Sequence, residues 1–191
     1  MCLHAPVTSE SDIDGRPRAG TSGCVRPRAG GDLDACVDLL AQVHERDGYP
    51  VNWPENAADW LVRPWFLAAW VAELDGRIAG HVALSRTTPG DAAPGLLGAR
   101  DGVVVEAMAV ISRLFVAPWA RGHGLGELLM RRAEEEARER GLRLVLDVVT
   151  SDTAATALYQ RLGWRLLGTA EQQWGPDVRV MVRCYEGPEA G

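Results

Sequence analysis

Apolar positions along the chain change their period several times, and each change marks an element. Leu33, Cys36, Val37, Leu40 and Val43 recur at the three-to-four spacing of one helical face, with Asp32 as N-cap, which predicts a helix as the first element of the domain. A short helix is expected after Pro54, stopped by Pro64. Two strand-like runs, 66–74 and 77–85, flank Asp75-Gly76, the dipeptide of a tight type I′ turn, and predict an antiparallel hairpin. Residues 86–102 are rich in Gly, Pro and Ala without an apolar period and read as a loop. Residues 103–116 are β-rich and long enough to hold a bulge or an irregular start. Leu125, Leu128, Leu129, Ala133 and Ala137 then form the buried stripe of a helix that opens near Gly124 or Gly126 and runs to Arg140, with Gly141 just beyond it. Its exposed face carries acid-before-base pairs such as Glu127/Arg131. A buried strand at 142–149, a short helix at 154–162 closed by Gly163, and a final antiparallel pair at 165–174 and 178–185 around Gly175-Pro176 complete the order. Strand, helix, strand is a parallel crossover, so the whole predicts a mixed α/β sheet rather than a doubly wound one.

Composition narrows the class. With 191 residues, 47% apolar and 24% charged, the chain has the balance of one globular domain. Residues 1–23 hold few large apolar side chains and read as a flexible tail, leaving a domain at 24–186 and a short C-terminal tail at 187–191. The absence of an 18-residue apolar run and of a secretory signal points away from membranes and to the cytoplasm. Cys2, Cys24, Cys36 and Cys184 show no CxxC spacing and read as free thiols rather than as zinc ligands. A net charge of -6 is the wrong sign for a nucleic-acid partner and mildly favours a cationic substrate such as an amine.

The chemistry is concentrated at 114–126. There a strand ends, glycines let the backbone approach a ligand closely, and a helix begins, so unpaired N–H groups and the positive end of a helix dipole converge on an anion site. Arg121 and His123 are placed to add charge-assisted bonds to phosphate oxygens. A Walker loop is excluded, because Glu127-Leu128 stand where Lys and Ser or Thr are needed. A dinucleotide fingerprint is excluded too: its third glycine position, counted from Gly122 and Gly124, is Glu127, and Asp147 is not at the tip of its strand.

What remains is Arg121-x-x-Gly124-x-Gly126 directly after Leu114-Phe115-Val116, and this resembles the pyrophosphate loop of the GNAT N-acetyltransferase superfamily. About thirty residues on, Asp152, Ala155 and Leu158-Tyr159-Gln160-Arg161-Leu162-Gly163-Trp164 resemble that family's second motif, Asn-x-x-Ala-x-x-Leu-Tyr-x-x-x-Gly-Phe. The resemblance covers roughly 24–186. It implies a mostly antiparallel central sheet of about six or seven strands, with one splayed parallel pair and flanking helices. It also implies that the backbone of Leu114, Phe115 and Val116 pairs with the pantetheine arm of acetyl-CoA, and that N–H groups from Gly122, His123, Gly124, Leu125 and Gly126 take the pyrophosphate. Tyr159 would be the general acid for the departing thiolate. The implied reaction is acetyl transfer from acetyl-CoA to a primary amine, by direct attack through a tetrahedral intermediate and without a metal.

Some residues depart from the family pattern. Asp152 stands where the family often has Asn, and N-capping of the following helix is reason enough for it. Many members carry a glutamate base at the position of Val110; Glu106, roughly 13 Å away along a regular strand, shares that face and is the candidate in its place. The missing glutamate leaves a non-catalytic acyl-CoA-binding or regulatory module as the rival reading, with a protein lysine or N-terminal acetyltransferase as a third. His81 and His44 read as structural, while Trp53, Trp60, Trp65 and Trp70 crowd the acceptor side of the family and suit an apolar pocket for a small-molecule amine. The acceptor's identity and the oligomeric state stay open, a homodimer being one option.

Overall fold

The computed structural model describes residues 23–174 and 178–188, together with the backbone of Leu3–His4. Most of the expected N-terminal tail and the Gly175-Pro176 turn lie outside the described residues. One mixed sheet organises the rest. Its strands are β1 (Leu3–His4), β2 (Cys24–Pro27), β3 (Phe66–Leu74), β4 (Arg77–Arg86), β5 (Met108–Val116), β6 (Arg143–Val149), β7 (Arg165–Gln173) and β8 (Arg179–Glu186). They lie in the order β1-β2-β3-β4-β5-β6-β8-β7, and β5–β6 is the only parallel neighbour pair among them. The two-residue β1 aside, this is the seven-stranded sheet with one parallel pair that the motifs imply.

The helices are α1 (Leu33–Asp47), α2 (Ala57–Leu61), α3 (Ala93–Asp101), α4 (Leu125–Glu139) and α5 (Thr153–Arg161). One face of the sheet buries Leu40, Val82, Ile111, Leu129, Leu146 and Tyr159 together, under α1, α4 and α5. Removing a side chain such as Leu129 from water contributes roughly 2 kcal/mol, which is why the stripe read from the sequence turns inward. The other face buries Ala93, Leu97, Met108, Val110 and Val145 beneath α3. Among the described residues no helix is long and apolar enough to cross a membrane.

Two differences from the sequence pattern bear on the site. Residues 86–102 are not a structureless loop, because they contain α3. Its apolar residues are too few to show a period, and it is held from outside: the Asp147 carboxylate on β6 accepts from Ala92 N–H at 2.7 Å and Ala93 N–H at 3.0 Å, satisfying donors at the helix start. The domain also opens on β2 and not on a helix. Asp32 occupies the N-cap position of α1 as expected, but its side chain makes no capping bond; the carboxylate accepts from the Arg26 guanidinium at 2.6 Å and from Ala29 N–H at 2.6 Å instead. The Asp75-Gly76 turn is as expected, with φ of 51° and 73°.

Candidate functional site

The cleft exists because two parallel strands pair over only three residues. Met108, Ala109 and Val110 of β5 pair with Arg143, Leu144 and Val145 of β6. Beyond that point β5 stays with β4, where Phe115 faces His81 and Val116 faces Gly80, while β6 follows β8, where Val149 faces Val182. The separation coincides with a bulge: the register between β4 and β5 shifts between His81 and Ala83, and Arg113 takes a φ of 55°. An extra residue there bends β5 away from its parallel neighbour.

Below the split the backbone is prepared for a ligand. Ala117 N–H donates to Ala79 O at 2.8 Å, so by strand alternation the groups of Phe115 also face β4, whereas those of Leu114 and Val116 point into the gap. Gly122 and Gly124 have φ of 82° and 73°, and Gly124 is the N-cap of α4 with no side-chain cap bond. The N–H groups of Leu125, Gly126 and Glu127 therefore start the helix without intrahelical acceptors. Gly126 lies against the wall between α4 and α5: a Cβ there would just touch Leu158 Cδ2 at 3.4 Å and Val116 Cγ2 at 3.8 Å, so a methyl group fits and a larger side chain has to displace its neighbours. Leu125 itself is core, at 1% exposure, so only its backbone is available.

The side chains of this loop behave differently from the backbone. Arg121 is paired with Asp47, the last residue of α1, at the surface. Its guanidinium is thus tied across the loop, with one arm at 3.2 Å from Asp47 Oδ1. His123 Nδ1 lies 3.2 Å from Ala120 O and 3.1 Å from Arg121 O, which makes it a clasp on the turn.

Tyr159 reaches the cleft from α5, whose first turn is capped by the Asp152 carboxylate accepting from Ala155 N–H at 2.9 Å. The ring lies against Trp164 and Tyr185, with centroids 6.0 and 5.8 Å away, and is 6% exposed. Burial raises the pKa of its hydroxyl, with smaller contributions from Tyr49, Asp152 and Tyr185, so the group stays protonated and able to donate. The hydroxyl has no hydrogen-bond partner among the described residues.

Glu106 is not brought to this place. β5 begins at Met108, and Val105–Ala107 is an exposed 3-10 turn, so the regular strand that would have put Glu106 on Val110's face does not extend that far. It lines an open groove with Thr88 and Arg140, at the end of β5 where the parallel pairing is intact, while Tyr159 follows the opposite end of β6. Val110 itself is buried under α3. His81 is structural. It is fully buried, stacked on Phe115 at 5.3 Å, with Nδ1 donating to Arg113 O at 3.0 Å and Nε2 3.3 Å from an Arg28 Nη. Burial pushes its pKa down to about 4. His44 Nδ1 is 2.9 Å from Pro50 O, and its ring is 5.0 Å from that of Trp53.

Two side chains that the motifs do not include complete the cleft. The Tyr49 ring sits 6.3 Å from Phe115 and 6.1 Å from Trp60, and burial pushes its hydroxyl up to about 12. Arg113, on the bulge, lays its guanidinium 3.9 Å over the Trp60 ring. The one trace of Arg113 in the sequence is a charge inside the apolar run of β5; Tyr49 leaves none, since a loop position does not say where its ring lands.

Comparison with known proteins agrees with this geometry. The model of the Acetyltransferase (GNAT) family matches residues 34–164. A relative from Danio rerio, "Probable N-acetyltransferase 14", is 32% identical over 126 residues, covering 64% of this chain but only 37% of its own length. The fold is similar to an N-acetyltransferase from Staphylococcus aureus Mu50 (TM-score 0.67, 21% identity, 86% of this chain and 96% of that one). It is also similar to yncA, a putative acetyltransferase from Salmonella typhimurium with its cofactor acetyl-CoA (TM-score 0.61, 18% identity, 87% and 95%).

Proposed function

The chain belongs to the acetyltransferase (GNAT) family, and from that premise we propose that it transfers an acetyl group from acetyl-CoA to a primary amine of a small molecule, by direct attack of the amine on the thioester. The observation that carries this is the coincidence of three features on one cleft: the split between β5 and β6, the uncapped start of α4, and Tyr159. The structural relative holding acetyl-CoA supports the same cofactor here. Acetyl-CoA supplies an activated acyl group and a thiol leaving group.

The residues of this chain do the rest. Leu114 and Val116 offer strand-edge N–H and C=O groups to the amides of the pantetheine arm, as an added strand would use them. Gly122, His123, Gly124, Leu125 and Gly126 offer backbone N–H groups to the pyrophosphate at the positive end of α4. Arg121 contributes through its grip on Asp47, which fixes the loop. Tyr159, kept protonated by burial, donates a proton to the departing thiolate. Val110 provides no base, which favours one second reading, an acyl-CoA-binding module without turnover.

Calorimetry with acetyl-CoA followed by thiol release across a panel of amines, in wild type and Tyr159→Phe, separates the two. Binding with amine-dependent release that collapses in the variant supports the transferase. Binding without release supports the module, and no binding removes both.

A further inference from the structure

Several arginines of this fold are matched with a carboxylate. Arg26 has Asp32 and Glu73, Arg121 has Asp47, and Arg100, Arg143 and Arg165 share Glu186. Others are held without one, Arg28 and Arg183 by backbone carbonyls and Arg77 over Trp119, and Arg113 belongs with these but keeps its fork open. It is half-buried beside the bulge, makes no ion pair among the described residues, and its one hydrogen bond is a long one, Nε donating to Trp60 O at 3.4 Å. Its Nη groups, the fork that grips carboxylates and phosphates, have no acceptor among the described residues. The nearby carboxylate of Asp91 takes the Thr88 N–H at 2.6 Å and Thr88 Oγ1–H at 3.0 Å instead. Burial lowers the Arg113 pKa, and a second cation, Arg63, bears on it as well. Arg63 likewise makes no ion pair among the described residues: its Nε is buried without a partner among them, and its guanidinium lies 5.5 Å over Trp65.

A structural role accounts for the stem of Arg113, which fastens the α2 segment to β5 through Trp60 and lies 5.9 Å over Phe66. It does not account for two neighbouring cations held on aromatic walls with their forks vacant, since cation–π contact leaves the charge uncompensated and a carboxylate at Arg113 would be worth more. Tyr49 links Arg113 to the cleft, because its ring lies 6.1 Å from that of Trp60, on which the Arg113 guanidinium rests, and 6.3 Å from that of Phe115 on β5.

We propose that Arg113, with Arg63 beside it, receives an anionic group of the acyl acceptor, so that the substrate is a small amine carrying a carboxylate or a phosphate. This rests on the acetyltransferase reading. The amine end is thereby aimed at the thioester while the anion is fixed by a bidentate, charge-assisted contact.

The test compares kcat/KM, corrected to free amine, for acceptors matched except in the anion: phenylalanine against phenethylamine, 4-aminobutyrate against butylamine, and phosphoethanolamine against ethanolamine. The expected result is a preference of at least about tenfold for one anionic member, falling by about 10- to 100-fold in Arg113→Gln and by less in Arg63→Gln, with Arg113→Lys intermediate. The carboxylate and phosphate pairs show which anion is meant. Acetyl-CoA calorimetry on each variant shows that it is folded, and Arg63→Gln carries the comparison if Arg113→Gln is not. Neutral amines used equally well, no anionic amine used at all, or a preference that survives in Arg113→Gln overturns the proposal. A wild-type protein that binds no acetyl-CoA overturns the acetyltransferase reading instead.

Discussion

At the end of the cleft proposed for the cofactor the protein presents backbone: the strand edge of Leu114 and Val116, two glycines with φ of 82° and 73°, and the open start of α4. At the end proposed for the acceptor it presents side chains, Tyr49, Trp60, Arg63 and Arg113, carried in from a loop, a short helix, a connecting segment and a bulge. The two ends thus recognise by different means, one by main-chain groups and one by exchangeable side chains. A pyrophosphate and a pantetheine arm are the same for every user of the cofactor, and backbone geometry suffices to hold them. An acceptor differs from enzyme to enzyme, and only side chains can be exchanged without rebuilding the fold.

The comparison breaks most sharply at Gly126 and Tyr159. Gly126→Val pushes a branched side chain into Leu158 and Val116, and acetyl-CoA affinity should fall by more than about 100-fold on calorimetry, with amine affinity secondary. Tyr159→Phe leaves the cofactor cradle in place and should lower kcat by about 10²- to 10⁴-fold, read as thiol release at saturating acetyl-CoA. Were the second variant to lose binding instead of turnover, Tyr159 would belong to the cradle and the division between the two ends would fail.

A smaller effect sharpens the boundary between them, where His81 holds the carbonyl of the Arg113 bulge. Its pKa is about 4 in the fold against 6.5 for an ordinary histidine, so above pH 6.5 both states are neutral and nothing is lost. As pH falls from 6.5 towards 4 the unfolded chain takes a proton that the folded chain refuses, and stability should drop by up to about 3 kcal/mol. Denaturant titrations at pH 7 and pH 4.5 measure this, and His81→Gln should flatten the slope across that window while lowering stability at pH 7. The smallest effect belongs to α3, which lies on the far face from α4. Asp147→Ala uncaps it and frees Gln172, whose Nε2 donates to the same carboxylate at 2.7 Å, and should cost about 1–2 kcal/mol in a thermal melt. Acetyl-CoA binding is expected to change little, because α3 touches neither the loop at 121–126 nor α5.

The helices α1 and α4, the Asp75-Gly76 hairpin and the crossover from β5 to β6 were all legible, because each is dictated by periods and turn residues inside its own segment. The cofactor loop was legible for the same reason: strand end, glycines and helix start are consecutive. Less could be read where the cause lies far along the chain. α3 depends on Asp147 more than fifty residues away. Asp32 takes its expected N-cap position, but Arg26 and Ala29 claim the carboxylate that would have capped α1. Glu106 seemed to lie on a strand face, but the strand starts later than the β-rich run does.

By itself the sequence determined the family, the sheet with its parallel pair, and the succession of strand end, glycines and helix start at 114–126, since local backbone propensity and spacing carry that information. Only the tertiary structure decided that the strands part after Val110, that Arg121 spends its charge on Asp47, and that Arg113 comes to rest beside Tyr49 and Trp60 with its fork unpaired. Those outcomes depend on which distant group wins a contact, and burial and electrostatic pairing across the fold settle that competition once the sheet has brought the contenders together.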